Sequence, residues 1–557
     1  MGVKKNKLTI VWIFEKVKKR VPELIAMMIS YAGSAVLGVV FALGSRRVID
    51  AAVSGNSDVF VKSCILQAFI IIGIIACLTI YRHLKDRMMA ELDRDWKREI
   101  LHKLLNGEYS AVSRYHSGEL LNRLNNDVRI VDDGIVTMLP NVAGMVTRVV
   151  AAFGVLVVLE PVFAGIISGL GIIVIVATGI MRKNLKELNK RVSEQEGKVS
   201  GFLQETLEKL LLVQAMDISV EMQRRAEICM EERFQMQRKR KNVTLVSNTC
   251  VSILTYTSSF AALAWCSFQL LNGQMTFGTL TAVTQLVGQL RGPLVNMSGI
   301  MPQYAAMAAS AERLMELESL EDEAKPVETD IRKIYDEATQ IVVKDACFSY
   351  EREEILQNAS FKLPKCSFSV ITGPSGIGKS TLLKVFLGVF RLDSGEITLE
   401  GKDTIVIDRT TRRLFSFVPQ GNLLFSGTLR DNLVVAKPDA SEEEIKEAVF
   451  VSAMDEYLEQ MPEGLDTMLG ENASGLSEGQ AQRLAIARAI LGGAPILLLD
   501  ECTSALDEKT EKIVLERIQG LKNRTCIAVT HRPAAMEICD YNIIIQDKTI
   551  IRKSRVH

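Results

Sequence analysis

Nine consecutive residues, Gly373-Pro374-Ser375-Gly376-Ile377-Gly378-Lys379-Ser380-Thr381, have the types and spacing of a phosphate-binding loop, G-x-x-x-x-G-K-[ST]. Glycines let a backbone turn tightly and bring its N–H groups onto phosphate oxygens. Lys379 would reach the β- and γ-phosphates of a nucleoside triphosphate, and the Ser380 hydroxyl would ligate Mg²⁺. A second constellation is acidic. Ile496-Leu497-Leu498-Leu499-Asp500 is an apolar run ending in a carboxylate, followed directly by Glu501. Downstream of a phosphate loop, Asp500 would hold Mg²⁺ through water, and Glu501 would polarise the water that attacks the γ-phosphate.

These groups need elements to position them. Phe368-Ser369-Val370-Ile371-Thr372 is β-branched and apolar, and reads as the strand feeding the loop. Leu382, Leu383, Val385, Phe386 and Leu387 read as the helix leaving it, whose positive N-terminal end points at the anion. A glycine-rich turn without such neighbours would carry less meaning. Ile341–Val343 and Ile496–Asp500 read as further strands, so residues 340–557 form an α/β domain.

The other half of the chain has a different character. Of 557 residues, 48% are hydrophobic and only 6% aromatic, which predicts a membrane portion. Net charge is zero, so no polyelectrolyte character points to nucleic acid. The ten cysteines are scattered and read as free thiols. Basic residues at the start, including Lys16, Lys18, Lys19 and Arg20, alternate with Trp12, Ile13, Phe14 and Val17, the pattern of an amphipathic helix lying on a membrane. Six long apolar runs follow: Leu24–Gly44, Cys64–Tyr81, Gly134–Leu159, Val162–Met181, Val243–Leu271 and Met275–Ala311. At about twenty residues per span they predict six transmembrane helices. Lys and Arg are dense in 82–134 and 182–242, so both long loops and both termini are expected in the cytosol. The acidic stretch 318–339, with Glu318, Glu321, Asp322, Glu323 and Pro326, reads as a linker after a membrane domain spanning 1–317.

Two arginines fall within apolar runs. Arg148 lies about 18 Å along a helix from Glu160, and Arg291 about 24 Å in from Met275. Charges in lipid are costly and usually face a cavity or a partner. They either line a substrate path that favours an anionic group or form structural pairs, and for Arg291 the structural reading is the expected one.

Leu476-Ser477-Glu478-Gly479-Gln480, running into Ala481-Gln482-Arg483-Leu484-Ala485-Ile486-Ala487-Arg488-Ala489, resembles the L-S-G-G-Q signature of ATP-binding cassette proteins, departing from it at Glu478. With six spans before one nucleotide-binding domain, the chain resembles an ATP-binding cassette exporter half-transporter. The resemblance implies ATP and Mg²⁺ as cofactors. It implies that Ser477, Gly479 and Gln480 contact the γ-phosphate bound by a second chain, so that two half-transporters, identical or different, pair. Tyr350 resembles the aromatic that stacks on adenine. Gln420, in Val418-Pro419-Gln420, resembles the glutamine that touches Mg²⁺ and the attacking water. Ser504-Ala505-Leu506-Asp507 resembles the loop lying across the dimer interface, and His531 the histidine that contacts the γ-phosphate. In the membrane half, the stretch Gly118–Asp127 and Ala311-Glu312-Arg313 resemble family motifs of the first cytosolic loop and of the last helix's exit. Both long loops are then expected to carry short coupling helices that dock on nucleotide-binding domains. Gly470–Gly475 differs from the usual lead-in to the signature.

The expected fold is a membrane α-helical bundle followed by an α/β nucleotide-hydrolase domain. The expected function is ATP-driven export of a peptide, lipid or drug-like molecule across the cell membrane, with Glu501, His531 and Gln420 as catalytic residues. A sensor or gated channel using ATP only as a switch is the alternative; a soluble cassette ATPase conflicts with the six spans.

Overall fold

The computed structural model describes residues 2–322, 330–350, 353–421, 424–470, 475–521, 523–546 and 549–554. Glu323 and Pro326 of the expected linker and residues 471–474 of the signature lead-in lie outside them, as do the side chains of Lys4, Lys5, Lys7 and residues 170–186. The chain divides into two compact units, 1–103 with 116–319, and 104–115 with 320–557.

The first unit is helical. It contains α1 (Gly2–Val17), α2 (Val21–Val53), α3 (Ser57–Asn106), which crosses from this unit into the other, α5 (Ser117–Asn122), α6 (Val128–Asp133), α7 (Leu139–Leu159), α8 (Pro161–Glu208), α9 (Leu210–Ala215), α10 (Ser219–Leu271) and α11 (Phe277–Glu318); α4 (Tyr109–Val112) belongs to the second unit. Single π-turns at Arg123–Asp127 and Gly134–Met138 join α5, α6 and α7 into one continuous helix. Five of the six expected spans sit inside longer helices; the sixth, Met275–Ala311, starts two residues before α11, whose N-cap is Thr276. At 50 residues, α3 is about 75 Å long, far more than the ~30 Å of a hydrocarbon core. Among the described residues Leu8–Val53, Ser57–Asn106, Ser117–Leu159 and Ser219–Leu271 are long and apolar enough to cross a membrane. The other two long helices are α8 and α11, the latter with Pro293 and Pro302 inside it. Leu156, Phe163, Ala262 and Val283 form one core among α7, α8, α10 and α11; Val39, Ala152 and Leu286 form another among α2, α7 and α11.

The two membrane-half motifs meet in this unit. The Asp127 carboxylate is buried and accepts from Arg313 Nε at 2.7 Å, Arg313 Nη2 at 2.5 Å and Ser310 Oγ at 3.0 Å. Arg123, also buried, donates to the Arg313 carbonyl at 2.8 Å, to Glu316 at 3.1 Å and to Glu119 at 2.7 Å. Every charge here is answered by hydrogen bonds, as a buried ion set requires.

The second unit is α/β. It runs α12 (Ile331–Glu337), β1 (Ala338–Tyr350), β2 (Glu353–Pro364), β3 (Phe368–Thr372), α13 (Lys379–Phe386), β4 (Ser394–Gly401), β5 (Thr404–Val406), β6 (Phe415–Val418), β7 (Gly427–Thr428), α14 (Leu429–Val434), α15 (Glu442–Val451), α16 (Asp455–Glu459), β8 (Met468–Leu469), α17 (Glu478–Leu491), β9 (Ile496–Asp500), α18 (Glu508–Gln519), β10 (Thr525–Val529), α19 (Pro533–Ile538), β11 (Tyr541–Gln546) and β12 (Thr549–Ser554). Helix α12 falls within the expected linker and buries Tyr335, whose hydroxyl shares a 2.7 Å hydrogen bond with Thr525. The segment 104–115 joins this unit through Glu108 N–H donating to the Glu321 carbonyl at 3.1 Å, and through the Tyr109 ring, edge-on to Phe390 at 6.2 Å. The short helix in this segment of the first long loop, where a coupling helix was expected, is α4. The corresponding helix of the second loop, α9, exposes Leu211.

Two sheets build the domain. An antiparallel sheet has the order β2-β1-β4-β5, and a mainly parallel one the order β12-β11-β3-β10-β9-β6. Strands β9 and β10 are buried along their whole length, as parallel strands covered on both faces must be. Side chains such as Ile371, Leu382, Leu498 and Ile527 form the core on one face, toward α13 and the antiparallel sheet. Val370, Leu484, Leu499 and Val514 form the core on the other, under α17 and α18.

Candidate nucleotide site

In an open parallel sheet, ligands bind beyond the carboxyl ends of the strands. Four sequence motifs leave that edge from neighbouring strands. The Lys379 loop follows β3, His531 follows β10, Asp500 and Glu501 close β9, and Gln420 follows β6. Sheet order, not sequence order, brings them side by side.

The loop wraps its own lysine. Lys379 is buried and its Nζ donates to the Gly373 carbonyl at 3.0 Å and the Pro374 carbonyl at 2.9 Å. An ammonium has three donors, so one is left to point outward. Gly378 caps α13 at φ 104°, and a Cβ there would come within 2.2 Å of Ile355 Cγ2; only glycine fits. Helix α13 begins immediately after it, so its unpaired N–H groups open into the loop. Thr381 reaches the other sheet: its hydroxyl lies 3.5 Å from that of Tyr350, which packs edge-on to Phe390 and Phe348.

Ser380 Oγ donates to Asp500 Oδ1 at 2.9 Å. Burial pushes the Asp500 carboxyl above its usual range; the Ser380 hydrogen bond and the ammonium groups of Lys384 and Lys379 pull it down, and Glu501 pushes it further up. Gln420 Nε2 donates to Glu501 Oε2 at 2.7 Å. Glu501 itself sits at φ 48°, a left-handed conformation that side chains rarely adopt, held by its N–H donating to the Val529 carbonyl at 2.9 Å. Such strain persists where the surroundings over-determine it, and here it turns the carboxylate out of the strand toward Gln420.

A buried carboxylate and a hydroxyl are hard oxygen ligands. Among the described residues no cluster of three or more His, Cys, Asp or Glu could enclose a metal. That donor set fits Mg²⁺, which keeps waters and substrate phosphates rather than entering a cage of protein ligands.

Among the described residues the signature makes no hydrogen bond to this cluster. Ser477 caps α17: its Oγ accepts from Gln480 N–H at 3.3 Å, and Gln480 Oε1 accepts from Ser477 N–H at 2.7 Å. Those two side chains serve each other in a capping box. Glu478 is exposed in the first turn, where a carboxylate favours the helix dipole. His531 is exposed, and the structure does not join it to Lys379, Asp500 or Glu501 by hydrogen bonds among the described residues.

Several partners were not legible in the motifs. Gln482 Nε2 donates to Ser504 Oγ at 3.1 Å, and Gln482 Oε1 accepts from Ala505 N–H at 3.0 Å. A Cβ on Gly479 would approach the Ala505 carbonyl to 2.9 Å, so glycine lets α17 lie against that loop. From the other side Arg532 donates to the Ser504 carbonyl and pairs with buried Glu511 at 3.6 Å, which also accepts from Thr503 at 2.8 Å. The loop after Glu501 is thus clamped between the signature helix and the residue following His531. Gln482 and Arg532 sit beside recognised motifs, but only tertiary contact shows what they hold.

Residues 24–294 match the family description "ABC transporter transmembrane region", and residues 356–504 match "ABC transporter". The chain belongs to the ABC transporter family. The transporter is 28% identical over 462 residues to an ATP-dependent lipid A-core flippase of Vibrio vulnificus (strain CMCP6), covering 82% of this chain and 79% of that one. It is 30% identical over 406 residues to the flippase of the same name from Vibrio cholerae, covering 72% and 67%. It is 29% identical over 450 residues to a putative multidrug export ATP-binding/permease protein, YgaD, of Bacillus subtilis (strain 168), covering 78% and 76%. A bacterial Atm1-family ABC exporter solved with ATP bound shares its fold, with TM-score 0.79 at 21% identity over 97% of this chain and 95% of that one. The transporter is therefore a multi-pass membrane protein whose ATPase drives export.

Proposed function

We propose that the chain is one half of a dimeric exporter in which ATP lies between the Lys379 loop of one copy and the Ser477 helix of the other. The observation that carries this is the contrast between two helix N-termini in one unit. At α13 the glycine loop and the third donor of Lys379 open toward an anion, while α17 presents a capped, exposed N-terminus that, among the described residues, is not hydrogen-bonded to that loop. Each copy thus carries the two halves of a phosphate cradle without closing them on each other.

Within such a site the loop from Gly373 to Thr381 binds the phosphates and Tyr350 takes the adenine face. Ser380 and Asp500, with Gln420, would hold Mg²⁺, which would supply positive charge against the phosphates. Glu501 accepts the proton of the attacking water, Gln420 orients that carboxylate, and His531, with Ser477 and Gly479 of the second copy, steadies the γ-phosphate. Differential affinity of ATP for the closed dimer drives the membrane helices outward-facing, and hydrolysis resets them. The long loops rich in Lys and Arg support a cytosolic nucleotide-binding domain and cytosolic termini in the cell membrane.

The test is Glu501→Gln in the purified full chain. ATP binding persists and turnover falls by about 10²-fold or more, the size expected for loss of a general base. Mass photometry counts two copies per particle. Near-normal turnover would sink the assignment of Glu501, and full turnover by a single copy would sink the composite site.

A further inference from the structure

Within the membrane unit, α7 and α11 enclose a cavity of about 370 Å³. One wall is the face of α7 that carries Asn141, Met145 and Arg148, positions spaced to share one side of a helix. The opposite wall is α11, where Gly292, Asn296, Gly299 and Gln303 recur at the same kind of spacing. A Cβ on Gly292 or on Gly299 would meet no atom within 4 Å, so these glycines are not demanded by packing; they leave room. Tyr31 closes one side.

Among the described residues, Arg148 is the one fixed charge on this lining. None of the described residues bonds or pairs with its guanidinium. The second intramembrane arginine shows the contrast. Arg291 donates to the Tyr256 hydroxyl at 2.9 Å and stacks over that ring at 4.1 Å, outside the cavity lining. An unpaired cation roughly halfway along a membrane helix costs free energy that a merely structural role would not repay. The amides of Asn141, Asn296 and Gln303 add donors, while Met138, Val142, Met145 and Ile300 supply apolar surface to the same space. A guanidinium with neighbouring amide donors recognises an oxyanion, and the apolar lining suits an attached hydrocarbon.

We propose that this cavity is the substrate's headgroup site, and that it selects amphipathic molecules bearing an oxyanion, carboxylate or phosphate, through Arg148. The proposal rests on the exporter reading above and adds the chemical class of the cargo.

Native mass spectrometry of the full chain, solubilised as purified, tests it with three probes: phosphatidic acid, oleate and diacylglycerol. The first two bring a phosphate and a carboxylate, and the third has tails without charge. At least one anionic probe binds on the order of tenfold tighter than diacylglycerol, the size of one charge-assisted contact. Which anionic probe it is identifies the headgroup chemistry. Arg148→Gln abolishes that preference, Arg148→Lys keeps part of it, and Arg291→Gln leaves it intact. Stabilisation of each variant by ATP reports that it folds, and Arg148→Lys carries the test if Arg148→Gln does not. Equal binding of all three probes by the unmodified chain, or a preference surviving in Arg148→Gln, would overturn the proposal. ATP turnover of the unmodified chain, blanked against Glu501→Gln, is read separately, so failure of the exporter reading and failure of this site are distinct results.

Discussion

Two polar assemblies in this molecule are built from the same residue types and end in opposite conditions. At the exit of α11, Asp127, Arg313, Ser310, Arg123 and Glu316 answer one another, and the central carboxylate accepts three hydrogen bonds. At the edge of the parallel sheet, Asp500 accepts one hydrogen bond among the described residues, from Ser380, and sits above its usual protonation range because of burial. Lys379 has spent two of its three donors on its own loop. A closed polar set fixes structure. An open one, buried at a strand terminus, is held ready for a ligand that brings the missing charge. The cavity lining around Arg148 is open in the same sense.

The largest effect expected from this contrast lies on the open side. Lys379→Ala removes the ammonium that closes the loop and that the proposed site turns toward the phosphates. ATP turnover should fall by about 10²-fold or more, with ATP binding weakened in parallel. Turnover within a few-fold of normal would mean that the loop is not the phosphate cradle.

The same assembly gives a pH signature. Folding raises the Asp500 protonation point above its value in the unfolded chain. In the ligand-free protein, this group's contribution to stability is complete below the unfolded value and is lost as pH rises through the folded one. In the proposed site, binding of Mg²⁺ with ATP would have the opposite sign, because a carboxylate ligand must be ionised. Thermal stabilisation by ATP with Mg²⁺ should therefore fade on acidification at a pH above the ordinary aspartate range. Fading only within that ordinary range would contradict the burial argument.

Much of the open site was legible in the sequence, and the reason is physical. Phosphate chemistry forces local patterns: glycines at fixed spacing, a lysine, an acid closing an apolar strand. The strand Ile496–Asp500 was readable because full burial leaves an apolar run up to its closing acid; Phe368–Thr372 was readable from its apolar and β-branched residues despite buried Ser369. The six long helices were readable for the related reason that lipid tolerates few charges. The closed sets were not. The Asp127 carboxylate finds Arg313 across 186 positions, and Gln482 finds Ser504 and Ala505 across 22 and 23. Nothing in local spacing encodes such partners. Arg148 and Arg291 both read as charges in apolar runs, with the structural reading expected for Arg291; its Tyr256 partner was not legible, nor was the cavity that Arg148 lines.

On the closed side the expected effect is on stability. Asp127→Ala takes from the Arg313 guanidinium and the Ser310 hydroxyl the carboxylate that accepts from both. Arg313 is partly exposed and can be rehydrated, so the loss should be roughly 2–3 kcal/mol, below that of a fully buried pair. Thermal unfolding of the purified chain should show it, with the ATP affinity of the nucleotide-binding unit unchanged. An unchanged melting temperature would mean that the set is not closed in the sense argued.

The smallest effect separates positioning from chemistry. Gln482 touches no group assigned to ATP, but its amide spans Ser504 and Ala505 and ties the signature helix to the loop after Glu501. Gln482→Ala removes two neutral hydrogen bonds at a partly buried site, a cost of about 1–2 kcal/mol if both are lost without replacement. If the clamp only stabilises the fold, the cost appears in the melting temperature alone. If it aligns two copies across their shared site, turnover falls several-fold and the dependence of turnover on ATP concentration shifts with it, while ATP binding by the Lys379 loop of an isolated copy holds. Arg532→Lys should act in the same direction more weakly, because an ammonium keeps one contact to the Ser504 carbonyl or Glu511 but not the fork that reaches both. A melting-temperature effect without any change in turnover would place this clamp with the closed set at Asp127, and the open character of the site would then end at Glu501.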